Sequence, residues 1–245
     1  MSTTGQTGSA TPPAELVKNA DDFDAQLAAL DSDQHTFVAK YPGVLGNSLQ
    51  VSVCPANDSA FDAWTYKSSF DAAPSTSSFA TSKSATEDEV HVAVVDLDGG
   101  VTGTAGTVLE TFPFLSQASD AKNPDGTINY MKEAINERSE YVWMVNFDSD
   151  YSFGGTAATS GKDFNSLNAH TNYAFTQGVN SAALTTAEYA TGHDLFEDKD
   201  TVEVDFLIAP GMGTTTDQTT IVNDLISTAQ STRKDCVVVL SLIHI

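Results

Sequence analysis

The stretch HVAVVDLDGGVTGTAGTVLETFPFLS, residues 91–116, decides the reading of this chain. Residues 91–99 form an apolar, β-branched run that ends in a turn. Residues 107–116 form a second run rich in Thr, Val, Leu and Phe. Between them lies a Gly-rich connection too short to hold another element. Two such runs joined this way read as an antiparallel hairpin. Working back from it, YPGVLGNSLQVSVCP at 41–55 begins with a turn at Pro42 and Gly43. It then alternates Leu49, Val51 and Val53 against Ser48, Gln50 and Ser52, the pattern of a half-buried strand. Residues 55–88 carry Phe61, Trp64, Tyr66, Phe70 and Phe79 among Ser, Ala, Thr and Asp. Those aromatics predict an ordered loop with short strand pieces rather than a linker.

Working forward, the turn NPDGT at 123–127 precedes a helical pattern over 128–139, followed directly by the apolar strand YVWMVNF at 141–147. Residues 148–184 show no clear period and read as a loop or edge segments. TTAEYATGHDLFED predicts a helix with Thr186 as its cap. VEVDFLIAP at 202–210 reads as a strand with Val202, Val204, Phe206 and Ile208 on one face. Ile221, Val222, Leu225, Ile226 and Ala229 then fall at helical spacing, and DCVVVL at 235–240 reads as an apolar strand after its leading Asp235. Strand, helix, strand in this order predicts a right-handed parallel βαβ unit. Near the start, NADDFDAQLAALD places Phe23, Leu27 and Leu30 on one helical face behind acidic first-turn residues. The fold class is therefore mixed α/β of the α+β kind, strand-rich with short helices. Residues 1–18, rich in Ser, Thr, Gly and Pro, read as a flexible lead-in.

The 245 residues hold 11 Lys+Arg against 33 Asp+Glu, a formal charge of −22. That field repels DNA, RNA and anionic lipid, so neither a nucleic acid nor a membrane is expected as a partner. Hydrophobic residues make up 40% and supply a core, while the charged fraction is only 18%. Ser, Thr, Asn and Gly therefore furnish much of the polar surface, which suits a salty medium or an assembling protein. No apolar run reaches membrane-spanning length, and MSTTGQTGSATPPAE has neither the basic nor the apolar region of an export signal. Cys54 and Cys236 stand far apart without CxxC spacing, so two reduced thiols are expected.

Candidate chemistry is sparse. DLDGG at 96–100 opens like a calcium loop, but the twelfth position from Asp96 is Thr107 where a bidentate Glu is needed. NPDGT, DSD at 148–150 and FEDKD at 196–200 are acidic clusters that read as turns and solvated surface. GMG at 211–213 sits between a strand and a helix yet lacks the third glycine of a dinucleotide loop, and no P-loop occurs. His35, His91, His170, His193 and His244 form no ligand pattern, GxSxG is absent, and Trp64 and Trp143 read as core anchors. No catalytic residue, cofactor site or metal site is assigned.

YPGVLGNSLQVSV, then VVDLDGGVTGTAGTVLETFPFLSQASDAKN, then NYMKEAINERSEYVW resemble, in that order, the tail sheath protein of contractile-tailed bacteriophages. FGGT after 152 and the pair VEVDFLIAPG and DCVVVLS extend the likeness over about residues 20–240. The resemblance implies a structural protein and not an enzyme, one that polymerises into helical rings around a tail tube and contracts to drive genome delivery. Its implied partners are other sheath subunits, the tube and the baseplate. It implies residence in the virion tail after assembly in the host bacterial cytoplasm. It further implies an insertion domain over 19–200 and the start of an α/β core, subtilisin-like in fold only, over 201–239. Family members are longer, so the chain reads as a fragment, with 240–245 as a non-native tail. The alternative reading is a secreted or surface module that binds calcium through its acidic Gly-containing loops.

Overall fold

The computed structural model describes residues 4–5, 15–33, 35–146, 156–164, 169–180 and 184–240. It divides into two compact units, residues 1–180 and 181–245. This boundary lies about twenty residues before the one read at 200/201, because the helix at 186–194 packs with the second unit.

Among the described residues the first unit has a sheet of seven antiparallel strands in the order β5-β4-β3-β7-β1-β2-β6. In chain order these are β1 (Thr4–Gly5), β2 (Phe37–Ala39), β3 (Leu49–Pro55), β4 (Glu89–Asp96), β5 (Thr107–Ser116), β6 (Val142–Met144) and β7 (Thr171–Thr176). The expected hairpin is present as β4 and β5. Between β4 and β5 the register slips at His91: Val90 faces Leu115 and Val92 faces Phe112, so Pro113 and Phe114 stand opposite one residue. That is a β-bulge, and Phe114 there has φ +52°. A bulky side chain in the left-handed region is strained and persists only when its surroundings hold it.

Helices α1 (Ala20–Ser32), α2 (Asp58–Ala63) and α4 (Met131–Arg138) cover this sheet, while α3 (Ser78–Ser82) packs with Ala118, Ala121, Ala158 and Phe164. Asn19 caps α1 by accepting the Asp22 N–H at 2.9 Å, satisfying one of the orphan donors of the first turn. One sheet face, with Phe37, Val51, Val53, Val92, Val94, Tyr173 and Phe175, buries Met131, Ala134 and Ile135 of α4. On the other face, Val38 and Trp143 take Phe23, Leu27 and Leu30 of α1, with Val17 beneath. Cys54, Ala93 and Val95 take Ala60 and Trp64 of the segment after β3. Each pleat alternation sends neighbouring residues to opposite cores.

Several expectations are corrected here. β3 is buried along its whole length rather than half-buried, because the aromatic segment roofs the face that carries Gln50 and Ser52. That segment forms short helices, not strand pieces. Part of 148–184 is a strand: β7 lies in the sheet between β3 and β1, with Tyr173 and Phe175 in the core. The lead-in is not wholly free, since Thr4–Gly5 pairs with β2 and β7, and backbone pairing needs no hydrophobic period. FGG at 153–155 and DSD at 148–150 lie outside the described residues.

The second unit contains α5 (Thr186–Asp194), β8 (Phe206–Ala209), α6 (Thr215–Ser227, continued by a π-turn to Arg233) and β9 (Val237–Leu240). β8 and β9 pair in parallel, as the βαβ reading requires. The cap of α5 is Thr185 rather than Thr186, in a capping box with Glu188, because reciprocal bonding needs a Glu three residues on. β8 is shorter than the 202–210 strand read from the sequence, and the shared face of Phe206 and Ile208 is its outer one. Leu207 and Ala209 pack on Ile221 and Leu225, while Phe206 and Ile208 are 63% and 69% exposed.

Candidate functional site

β4 delivers Asp96 to the head of the loop at 97–106. Its carboxylate is fully buried and accepts the Ser48 hydroxyl at 2.6 Å, the Val101 and Thr102 N–H groups at 3.1 and 2.7 Å, and the Thr102 hydroxyl at 2.8 Å. Burial pushes the acid upward, but these hydrogen bonds outweigh it and hold the group at about 2. Ser48 in turn accepts the Gly100 N–H at 2.8 Å. Glycine is required at two points: Gly99 has φ +80°, and a Cβ on Gly100 would sit 2.9 Å from that of Ser48. The resemblance to a calcium loop thus resolves into a clamp. The Asp96 oxygens point inward at donors and close the YPGVLGN turn against the hairpin loop.

The same turn is held from its other side. Asn47 and Gly178 exchange two hydrogen bonds, Asn47 Nδ2 to the Gly178 carbonyl at 2.9 Å and the Gly178 N–H to Asn47 Oδ1 at 2.7 Å. Asn180 accepts the Val44 N–H at 2.9 Å. Tyr41, Val44, Leu45 and Val179 are left exposed at 42, 51, 44 and 56%. A rigid turn that displays apolar side chains has the character of a contact surface.

The remaining predicted features are accounted for locally. In NPDGT, Asp125 accepts the Thr127 hydroxyl and N–H, which holds its carboxyl below the usual carboxylate range and closes an Asx turn. In FEDKD, Asp198 caps the Asp200 N–H. The carbonyls of Phe196 and Val202 receive the buried Arg233 guanidinium, which also pairs with Asp235. GMG is a helix entry: Met212 packs into the core and its N–H donates to Gln218, while Thr214 caps α6. Among the described residues no three His, Cys, Asp or Glu side chains come together as a metal site.

Cys54 is buried and its thiol pushed up to about 12, and both cysteines are free. Trp64 and Trp143 lie in the core, Trp64 donating to the Ser52 hydroxyl at 2.7 Å and Trp143 stacking on Phe23 at 5.3 Å. His35 is buried, without a hydrogen-bond partner on either ring nitrogen among the described residues, and burial lowers its basicity against the opposing pull of Asp33. His193 stands near Tyr189, and His244 lies outside the described residues. Sequence reasoning missed the structural weight of His91 and Arg233. An isolated titratable residue inside an apolar run was the available signal for His91.

The second unit offers a different surface. On the side of the two-stranded sheet away from Leu207 and Ala209, Phe206, Ile208, Val237 and Val239 stand in solvent, the last two 59% and 43% exposed. Parallel sheets are ordinarily covered on both faces.

No protein-family model matches the chain. A stretch of 95 residues, 39% of the chain, is 34% identical to the tail sheath protein of Salmonella phage ViI, and spans 12% of that protein's length. Among solved structures, the sheath tail protein Lin1278 of Listeria innocua aligns over 82% of the chain and 30% of its own, at 12% identity and a TM-score of 0.40. The chain is thus similar, over a limited part, to a phage tail sheath protein.

Proposed function

We propose that this chain is a structural component of a contractile phage tail sheath and performs no catalysis. The observation that carries the reading is the 34% identity over 95 residues to a tail sheath protein. The surface chemistry supports it. Asp96 at the hairpin loop is committed to backbone and hydroxyl donors, and exposed apolar side chains stand at Tyr41, Val44, Leu45 and Val179 and on the open sheet of the second unit. Such surfaces suit packing against protein rather than binding a small substrate.

In this reading the first unit is the strand-rich insertion domain and the second begins the sheath's α/β core. The subunits form rings around a tail tube, contact the baseplate, and contract between two lattice states. The protein assembles in the host bacterial cytoplasm and resides in the virion tail. Its net charge of −22 limits off-pathway association before assembly. The test is immunogold electron microscopy with antibodies to this chain, applied to tailed particles of the source virus. Label along the outer wall of extended and contracted tails is expected. Label confined to capsid or fibres, or saturable binding of calcium in calorimetry with a rise in melting temperature, would replace this reading with another.

A further inference from the structure

His91 lies fully buried on β4 at the bulge, and both of its ring nitrogens are engaged. The Phe114 N–H, which the bulge removes from the ladder, can only donate, and it points at Nδ1 at 3.0 Å. Nδ1 must therefore carry a lone pair. The proton then sits on Nε2, which donates to the Ala72 carbonyl at 2.7 Å. Asn129 completes the hold by donating to the Phe114 carbonyl at 2.9 Å. One imidazole thus joins two separate things: the strained residue of β5, and the end of the segment that roofs the sheet. Phe70 stacks on the ring at 4.4 Å and 11°, Phe114 meets it edge-on at 4.6 Å, and Phe61 and Trp64 complete the enclosure.

We propose that His91 is an acid-released latch: a proton taken from water onto Nδ1 puts a second donor against the Phe114 N–H, and the roofing segment 56–74 separates from the sheet.

Among the described residues no charge nearby compensates that proton. β3 offers the neutral thiol of Cys54, directly opposite His91 in the ladder. The roof presents the Tyr66 phenol beside Trp64, while its Asp58, Asp62, Lys67 and Asp71 are exposed. Glu89, on the same face of β4, is committed to the Ser75 N–H at 2.9 Å, and Glu110 of β5 is bonded to Ser139. Burial accordingly depresses the basicity of His91, with the Ala72 bond opposing less strongly. A base weaker in the closed state than in the open one contributes full stability above the open-state value of 6.5. That contribution is lost as pH falls below it, with the opening constant rising up to about tenfold per pH unit. This window lies above ordinary carboxylate titration.

The test is nitrogen NMR of the imidazoles in the whole chain from pH 7.5 to 5, with hydrogen exchange measured across the same range. The expected result is an Nε2–H tautomer for His91 at neutral pH. Amide protection at Phe114 and through the roof should then fall up to about tenfold per pH unit from 6.5 down to the ring's own lower midpoint, while the β3–β4 ladder stays protected. His91→Gln, which keeps a donor and an acceptor but does not titrate in this range, should flatten that dependence, and His35→Gln should leave it unchanged. The opposite tautomer, a ring neutral to pH 5 with constant protection, or an undiminished acid response in His91→Gln would each overturn the proposal. Should His91→Gln fail to fold, the parent decides alone: a ring midpoint at or above 6.5, or protection that stays constant between 6.5 and the ring midpoint, refutes the latch.

Discussion

Two strands of this protein exchange the characters their sequences suggest. β3 reads LQVSVCP, alternating apolar with polar, yet every residue in it is buried. β9 reads VVVL, wholly apolar, yet Val237, Val239 and Leu240 are 59, 43 and 41% exposed. Pattern alone does not separate them; the layers above each sheet do. Over β3 the aromatic segment supplies a roof, and the buried polar atoms find partners in it: Gln50 with Tyr66, Ser52 with Trp64 and Asn172. In the second unit one face of the sheet has α6 and the other displays Phe206 and Ile208. A polar residue is thus tolerable in an interior that was built around it, and a valine stays wet where no layer covers it.

The sharpest way to break this contrast is to remove the roof's anchor. Trp64→Ala should cost about 3–5 kcal/mol, read by urea unfolding of the first unit, and should leave α6 and β9 amide exchange unaltered. A loss below about 1 kcal/mol would mean that the roof does not hold β3. Hydrogen exchange on the unmodified chain should next show β8 and β9 less protected than the β3–β4 ladder by on the order of 100-fold, as an uncovered two-stranded sheet opens locally. Equal protection would mean that the exposed face is covered in solution.

Replacing Asp96 by Asn removes charge-assisted bonds from a buried site and should destabilise the first unit by about 1–3 kcal/mol at pH 7. Because Asp96 is held near 2 against an ordinary 3.8, its contribution is complete above 3.8 and fades as pH falls toward 2. The penalty of the Asn variant should shrink over that interval in acid titrations followed by circular dichroism. The smallest effect belongs to the second unit, where Lys234 ends the helical run at φ +63°. Lys234→Gly should raise that unit's stability by roughly 0.5–1 kcal/mol, since only glycine enters this region without steric cost.

Much of the architecture is legible in local signals. Asn19 before an amphipathic run, the two β-branched segments flanking a Gly-rich loop, and the strand, helix, strand order near the end each correspond to an observed element. What escapes the sequence depends on distant partners. β7, TNYAFT, alternates Tyr173 and Phe175 with polar residues, but it is short and sits in a Ser/Thr/Asn-rich surround that hides the period. The buried face of β8 could not be chosen from the strand itself, since apolar residues occupy both of its faces; α6 makes the choice. The candidate site shows the same division. The partial match at DLDGG identifies a tight acidic turn, whereas its role as a clamp rests on Ser48, nearly fifty residues earlier. His91 shows itself in sequence as one titratable residue in an apolar strand, and only the bulge gives that residue a task.

The position of β7 also governs the order in which the protein can be made. Residues 49–116 contain β3, β4 and β5 and can pair as they leave the ribosome. The neighbour that β3 needs on its other edge ends at Thr176, and β1, which also pairs with β2, is joined to β3 only through β7. From Ser116 to Thr176 is 176 − 116 = 60 residues, about 3–12 s of synthesis at typical rates. For that interval the nascent chain carries an open strand edge beside a half-finished core. Its excess of carboxylates then acts as a solubility tag during translation, keeping neighbouring nascent chains on a polysome apart until the middle of the sheet is closed.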